Sequence, residues 1–174
     1  MESEKPLSLF CTVVAMDTTD YCYLVCSRCE KTLPNEYSSC KYCDPKFFNP
    51  GSSNSKRLYR ILVSIASSEE VFVVVLFDRV ARVLIGCSAD EFFNFTMVNP
   101  SAAVTAGKLL EGKMFQMKLS KPKVNGNAQH LRAISVTPLC SDFSPAMKTL
   151  KELYRDGVSP LHQSQPSSST HGNP

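Results

Sequence analysis

The stretch Cys22-Tyr-Leu-Val-Cys26-Ser-Arg-Cys29, answered ten residues later by Cys40-Lys-Tyr-Cys43, decides how this chain folds. Cys26/Cys29 and Cys40/Cys43 are two C-x-x-C pairs, and each can grip one metal ion from both sides of a tight knuckle. Glu30–Ser39 is just long enough to turn back and bring the second pair over the first, which gives a tetrahedral four-thiolate site. Tetrahedral sulfur suits zinc or an iron–sulfur centre, and two knuckles on a small β-hairpin favour zinc. With all four positions filled by thiolate, such a zinc is structural. The competing pattern is a pair of disulfides in a secreted domain. Against it, Met1-Glu-Ser-Glu-Lys5 carries both signs of charge and is followed by a short β-like run, unlike a signal peptide. Cys22 lies close enough to compete as a ligand, but the second cysteine of each pair fits better. Cys11, Cys22, Cys87 and Cys140 stand singly among apolar neighbours, as small buried hydrophobes do in an intracellular, reduced protein.

The cysteine segment interrupts a string of β-rich runs. Leu9–Ala15 and Tyr21–Val25 precede it, joined by the turn-like Asp17-Thr-Thr-Asp20. After it, Arg57–Ala66 alternates, with Tyr59, Ile61, Val63 and Ile65 on one side and Leu58, Arg60, Leu62 and Ser64 on the other. Val71–Phe77 is apolar throughout, as a central strand is. Three helical stretches follow: Arg79–Ile85 stopped by Gly86, Ala89–Phe95 opened by Ser88 with Glu91 in a capping box, and Ser101–Leu110. Lys113–Leu119 and Gln129–Val136 form a hairpin about Asn125-Gly126, and Pro145–Arg155 is a last helix with Gly157 as its stop. Five strands with helix between the third and fourth predict a mainly β protein, an OB-fold barrel with an inserted Cys₄ zinc ribbon and a C-terminal helix. Small SH3-type barrels give similar strings; the ribbon placed between strands favours the OB fold. The expected organisation is a 1–157 domain, with the ribbon at about 26–48 and the helix at about 145–155. The Ser- and Pro-rich 158–174 forms a disordered tail.

With 174 residues and 43% hydrophobic composition, there is apolar material for a single core. No apolar run approaches the roughly 20 residues of a bilayer span, so a membrane partner is not expected. Net charge is only +3, but Lys108–Arg132 holds six basic residues against Glu111 alone, more than the whole chain's surplus. Lys118, Lys121, Lys123 and Arg132 are therefore candidate phosphate contacts; the competing reading is a hairpin kept soluble. No H-x-E accompanies the cysteines, and no P-loop, G-x-S-x-G or paired-carboxylate constellation is present, so the chain is not read as an enzyme.

Three stretches carry a family resemblance: Tyr59-Arg-Ile-Leu-Val-Ser-Ile-Ala66, Val71-Phe-Val-Val-Val-Leu-Phe-Asp78 and Ala81-Arg-Val-Leu-Ile-Gly-Cys-Ser-Ala-Asp-Glu91. With the cysteine spacing, this order resembles the C-terminal OB domain of the large subunit of replication protein A, the eukaryotic single-stranded DNA-binding complex. The resemblance runs from about Ser8 to Tyr154. It implies a nuclear subunit of a replication protein A-like complex, serving DNA replication, repair, recombination or telomere maintenance. Single-stranded DNA would be the ligand, with RNA a further possibility.

The resemblance places a base-stacking aromatic at Phe77, a residue that core packing would also explain. The family's second aromatic falls where this chain reads Lys121-Pro-Lys-Val124, which has none. The resemblance also implies that the C-terminal helix joins other OB-fold subunits in a bundle. Met147, Leu150, Leu153 and Tyr154 form the stripe for that contact, or else pack on their own barrel. Tyr37 and Tyr42 either stack on a base or, as favoured here, cover the zinc sulfurs, while Phe47 and Phe48 anchor the ribbon. The alternative function is an assembly module that keeps the fold and helix but binds little nucleic acid. A domain of this type beginning at its own Met1 is most easily pictured as a small subunit docking onto others.

Overall fold

The computed structural model describes residues 5–35, 39–44, 46, 50–51, 53–121 and 130–155. Tyr37, Phe47, Phe48, Lys123, the Asn125-Gly126 turn, Gly157 and the expected tail at 158–174 lie outside the described residues. Among the described residues, six strands and four helices run in the order β1 (Leu7–Met16), β2 (Cys22–Cys26), β3 (Ser55–Ala66), β4 (Val71–Phe77), α1 (Asp78–Ile85), α2 (Ala89–Val98), α3 (Ala102–Leu110), β5 (Met114–Ser120), β6 (Leu131–Pro138) and α4 (Ala146–Leu153).

Five strands close a barrel. β1 pairs with both β3 and β5, β3 with β4, and β5 with β6, all antiparallel; the parallel pair β4–β6 completes the ring. This is the OB arrangement, with α1–α3 inserted between the third and fourth barrel strands. β2 lies outside the ring, antiparallel to β3, and carries the cysteine segment on its C-terminal end. The alternation in β3 decides which side faces in. Tyr59, Ile61, Val63 and Ile65 are buried, and Leu58, Arg60, Leu62 and Ser64 face outward. Phe115, Met117 and Leu119 of β5 meet them from across the barrel. β4 departs from the expectation of a strand buried along its length. Val71 and Val73 are exposed, because only one face of a barrel strand points inward; Val74 and Leu76 hold that face.

The helices cap one end. Ser88 Oγ accepts the Glu91 N–H at 3.2 Å, but Glu91 does not close the box; its carboxylate pairs instead with Lys151 of α4 at 2.9 Å. Gly86 ends α1 at φ 91°, its N–H donating to the Arg82 carbonyl. No helix among the described residues is long and apolar enough to cross a membrane.

α4 corrects the expectation of an open apolar stripe. It lies against α3 and α1, and Met147, Leu150 and Tyr154 are part of the domain's own core. Tyr154 Oη pairs with Ser101 Oγ at 2.7 Å and Thr105 Oγ1 at 2.9 Å, and its ring meets Phe95 edge-on. The barrel needs this helix to cover α3, which leaves Leu153, 42% exposed, as the outward member of the four. Cys140 is likewise exposed on the turn after β6, not a buried thiol.

Candidate metal centre and nucleic-acid interface

Cys26 is the last residue of β2, so the strand aims the first knuckle. Ser27–Cys29 turn back at once, with Glu30 N–H donating to the Cys26 carbonyl and Cys26 N–H to the Lys31 carbonyl. Glu30 takes the left-handed φ of 59° that this reversal requires. The second pair folds over the first. Cys26 and Cys43 Sγ are 3.8 Å apart, Cys29 and Cys40 Sγ 3.5 Å, and all four sulfurs lie within 4.8 Å of one another. These gaps are far longer than a disulfide bond of about 2.05 Å. A tetrahedron of thiolates at about 2.3 Å from one ion has edges of about 3.8 Å, so the cluster can hold a metal ion. Backbone N–H groups of Cys29 and Arg28 bring the Cys26 thiol down to about 7, while burial and the neighbouring thiols push Cys43 up to about 12, so without an ion the four sulfurs share protons between them. Cys22 is not one of the four. It packs against the barrel core, where burial pushes its thiol up to about 11. Among the described residues, Leu24 and Leu33 are the apolar side chains packed around the sulfurs, in a cluster separate from the barrel core.

Phe77 ends β4 and precedes the first residue of α1, where the chain leaves the barrel wall. Its side chain is half-buried and lines an open cleft of about 620 Å³ with Tyr23, Leu58, Ser120, Arg132 and Ile134. The cleft crosses the outer face of β2, β3, β4, β6 and β5 in turn. Arg60, exposed and paired with Phe77 across the β3–β4 ladder, stands on the same face. The Arg132 guanidinium lies 4.9 Å from the Phe77 ring centroid. Lys118 is exposed on the same face of β5 as Ser120, and Lys121 is exposed just beyond the strand. Asp78, also on the cleft wall, is engaged from within the domain: its carboxylate accepts the Tyr59 N–H at 3.3 Å and Arg82 Nε at 2.9 Å.

Tyr23 is the residue that sequence reasoning missed. It pairs with Leu58, and Leu58 belongs to the outward set of β3, so Tyr23 brings a second ring to the cleft. Burial, with Asp78 and Glu30 nearby, pushes its phenol up, so the hydroxyl stays a neutral donor. The signal was the outward alternation Leu58/Arg60, extended by one strand. Tyr42 also differs from its reading: at 71% exposure it does not roof the sulfurs, and Lys31 Nζ sits 3.4 Å from its ring centroid.

An OB barrel bearing a four-cysteine ribbon on a strand outside the ring, with an aromatic and basic cleft on its face, defines a class of nucleic-acid-binding module. The family model of the Replication factor-A C terminal domain matches residues 7–141, and the chain belongs to that family. Among solved structures, the fold is similar to "Yeast RPA bound to ssDNA", at 17% identity and a TM-score of 0.64 over 91% of this chain and 90% of that one. It is also similar to "Structure and Conformational Change of a Replication Protein A Heterotrimer Bound to ssDNA", at 21% identity and a TM-score of 0.61. That second match covers 88% of this chain and 35% of the other. Among curated proteins no sequence matches.

Proposed function

We propose that this protein is a non-enzymatic, single-strand-binding and assembly subunit of a replication protein A-like complex. It would act in the nucleus in DNA replication, repair, recombination or telomere maintenance, with single-stranded DNA as ligand and RNA the related alternative. The observation that carries this reading is the convergence of Phe77, Tyr23 and Arg132 on one open cleft of the barrel face. Bases offer flat faces to the two rings, and the backbone meets Arg132, Arg60, Lys118 and Lys121; each base stack is worth about 1–3 kcal/mol. The contribution from phosphates falls with salt as released counterions are replaced.

The metal of the ribbon is zinc. The sulfur spacings fit a tetrahedral Zn–thiolate site, and the saturated donor set leaves no open position for catalysis. Its chemistry would be structural: Cys26, Cys29, Cys40 and Cys43 would hold it, and the four thiolates would thereby tie the two knuckles at the end of β2. Assembly with other OB-fold subunits runs over the outward side of α4, where Leu153 is exposed.

The test is a fluorescence-anisotropy titration of a labelled single strand of about 30 nucleotides, with a duplex of equal length as control, at low and moderate salt. Saturable single-strand binding that weakens with salt supports the reading. No binding by the folded, zinc-loaded protein makes the chain the alternative, an assembly module.

A further inference from the structure

One edge of β2 pairs with β3, and the other is half open. On that outer edge the Leu24 carbonyl accepts the Leu33 N–H and the Cys26 N–H donates to the Lys31 carbonyl, both at 2.9 Å. Backbone groups along a strand alternate in direction, so the Leu24 N–H and both the N–H and carbonyl of Cys22 face the same outer way. Among the described residues none of these three groups meets a partner. The turn at Lys31–Leu33 therefore covers only the C-terminal half of the edge.

Beside the open half lies a cleft of about 500 Å³ between β2 and the C-terminal end of α2. Leu24, Leu33, Pro34, Phe93 and Met97 give it apolar walls, and Met97 is 68% exposed. Unpaired strand groups beside an apolar trough are what an extended peptide needs in order to add as a further strand. Main-chain bonds then supply affinity, and alternate side chains fill the trough.

The charge of the cleft decides between a peptide and a nucleic acid. Asp20, two residues before Cys22, is exposed on its wall. The cation lining it, Arg57, is already engaged: its guanidinium lies 3.7 Å from the Phe93 ring centroid and pairs with Asp90 at 3.4 Å. A phosphate backbone would meet an acid and a neutralised guanidinium. A peptide carrying Lys or Arg at the matching position finds a complementary charge in Asp20.

We propose that this cleft docks an extended segment of a partner protein, added as a strand to the open edge at Cys22–Leu24. The segment carries apolar side chains at alternate positions and a basic residue opposite Asp20. This site is separate in chemistry from the aromatic and basic barrel cleft, although Tyr23 lines both and is left unaltered in the test.

The probe is a random octapeptide library displayed on phage and selected on the full zinc-loaded chain, with the enriched peptides then synthesised carrying a fluorophore. Enriched peptides are expected to alternate apolar residues and to carry Lys or Arg at one end. Met97→Glu should weaken their binding about 5-fold or more. Asp20→Lys should do the same, and replacing the peptide's basic residue by Glu should restore affinity to that variant. N-methylation of alternate peptide amides should abolish binding in one register and spare it in the other, which side-chain contact alone would not produce. Both altered residues are exposed, and circular dichroism and zinc content confirm the fold. Single-strand affinity should stay as in the parent for both variants, and peptide affinity should stay so in Phe77→Ala, so the two readings fail separately. Failure to enrich any peptide overturns the proposal, as does parent-like peptide binding by Met97→Glu and Asp20→Lys. Equal tolerance of N-methylation in both registers overturns the strand addition. Loss of single-strand binding in Met97→Glu, with a single strand displacing the peptide, overturns it in favour of a nucleic acid in this cleft.

Discussion

The Arg132 guanidinium lies over the Phe77 ring, 4.9 Å from its centroid, joining the end of β4 to the outer face of β6 where those strands run parallel. A planar guanidinium on a ring positions itself for a phosphate while leaving the ring available to a base; an ammonium does not stack in this way. Arg132→Lys is therefore expected to keep the charge but weaken single-strand binding several-fold, with the salt dependence nearly unchanged. Arg132→Ala should weaken binding further and lower the slope of log affinity against log salt by about 1. Titrations at four salt concentrations measure both.

The buried half of α4 sets stability, and its outward half sets association. Leu150 is fully buried against the helices, so Leu150→Ala should cost about 2–5 kcal/mol in denaturant unfolding. Leu153→Glu should cost well under 1 kcal/mol, because the site is open to water, yet abolish co-purification with partner subunits. Parent-like association of Leu153→Glu would move the interface off α4.

Gly86 has two separate reasons to be glycine. Its φ is 91°, and a Cβ there would lie 2.5 Å from Pro145 Cβ, at the start of α4. Gly86→Ala should destabilise by more than the roughly 1–2 kcal/mol of left-handed strain alone. Thermal unfolding of this variant, beside an exposed control such as Val83→Ala, measures the effect.

Removing zinc should act locally before it acts globally, since among the described residues the sulfur cluster and the barrel core are separate clusters. With chelator, the amides of Cys26 and Leu33, which bond to Lys31 and Leu24 carbonyls, should lose hydrogen-exchange protection. The amides of Ile61, Val63 and Leu76 should keep theirs. Elemental analysis of the untreated protein should give one zinc per chain. Retained protection at Cys26 after the metal has gone would contradict the structural role.

The barrel was legible because alternation in Arg57–Ala66 leaves little choice of face and because Gly86 and Ser88 punctuate the helices through backbone chemistry that reads locally; the uniformly apolar Val71–Phe77 marked a strand but not which of its faces turns inward. The sulfur cluster was legible for the same reason: spacing alone brings C-x-x-C pairs together. What could not be read was which neighbour each outward or amphipathic face meets. The Met147/Leu150/Tyr154 stripe looks the same in sequence whether it faces a partner or α3; the burial of Met147 and Leu150 and the Tyr154 hydroxyl between Ser101 and Thr105 distinguish them. Tyr23 was missed because its place in the cleft depends on the β2–β3 register, a contact across more than thirty residues of chain.

The most direct measurement of the central claim is the affinity of zinc-loaded Phe77→Ala for a single strand, beside the parent protein under the same salt. Phe77 is half-buried at the end of its strand, so the variant should fold, which its circular dichroism and zinc content will confirm. The account predicts an affinity loss of about 1–3 kcal/mol, one stacked base, with duplex binding unaffected. Parent-like binding by the folded variant would contradict it and place the single strand, if anywhere, off this face of the barrel.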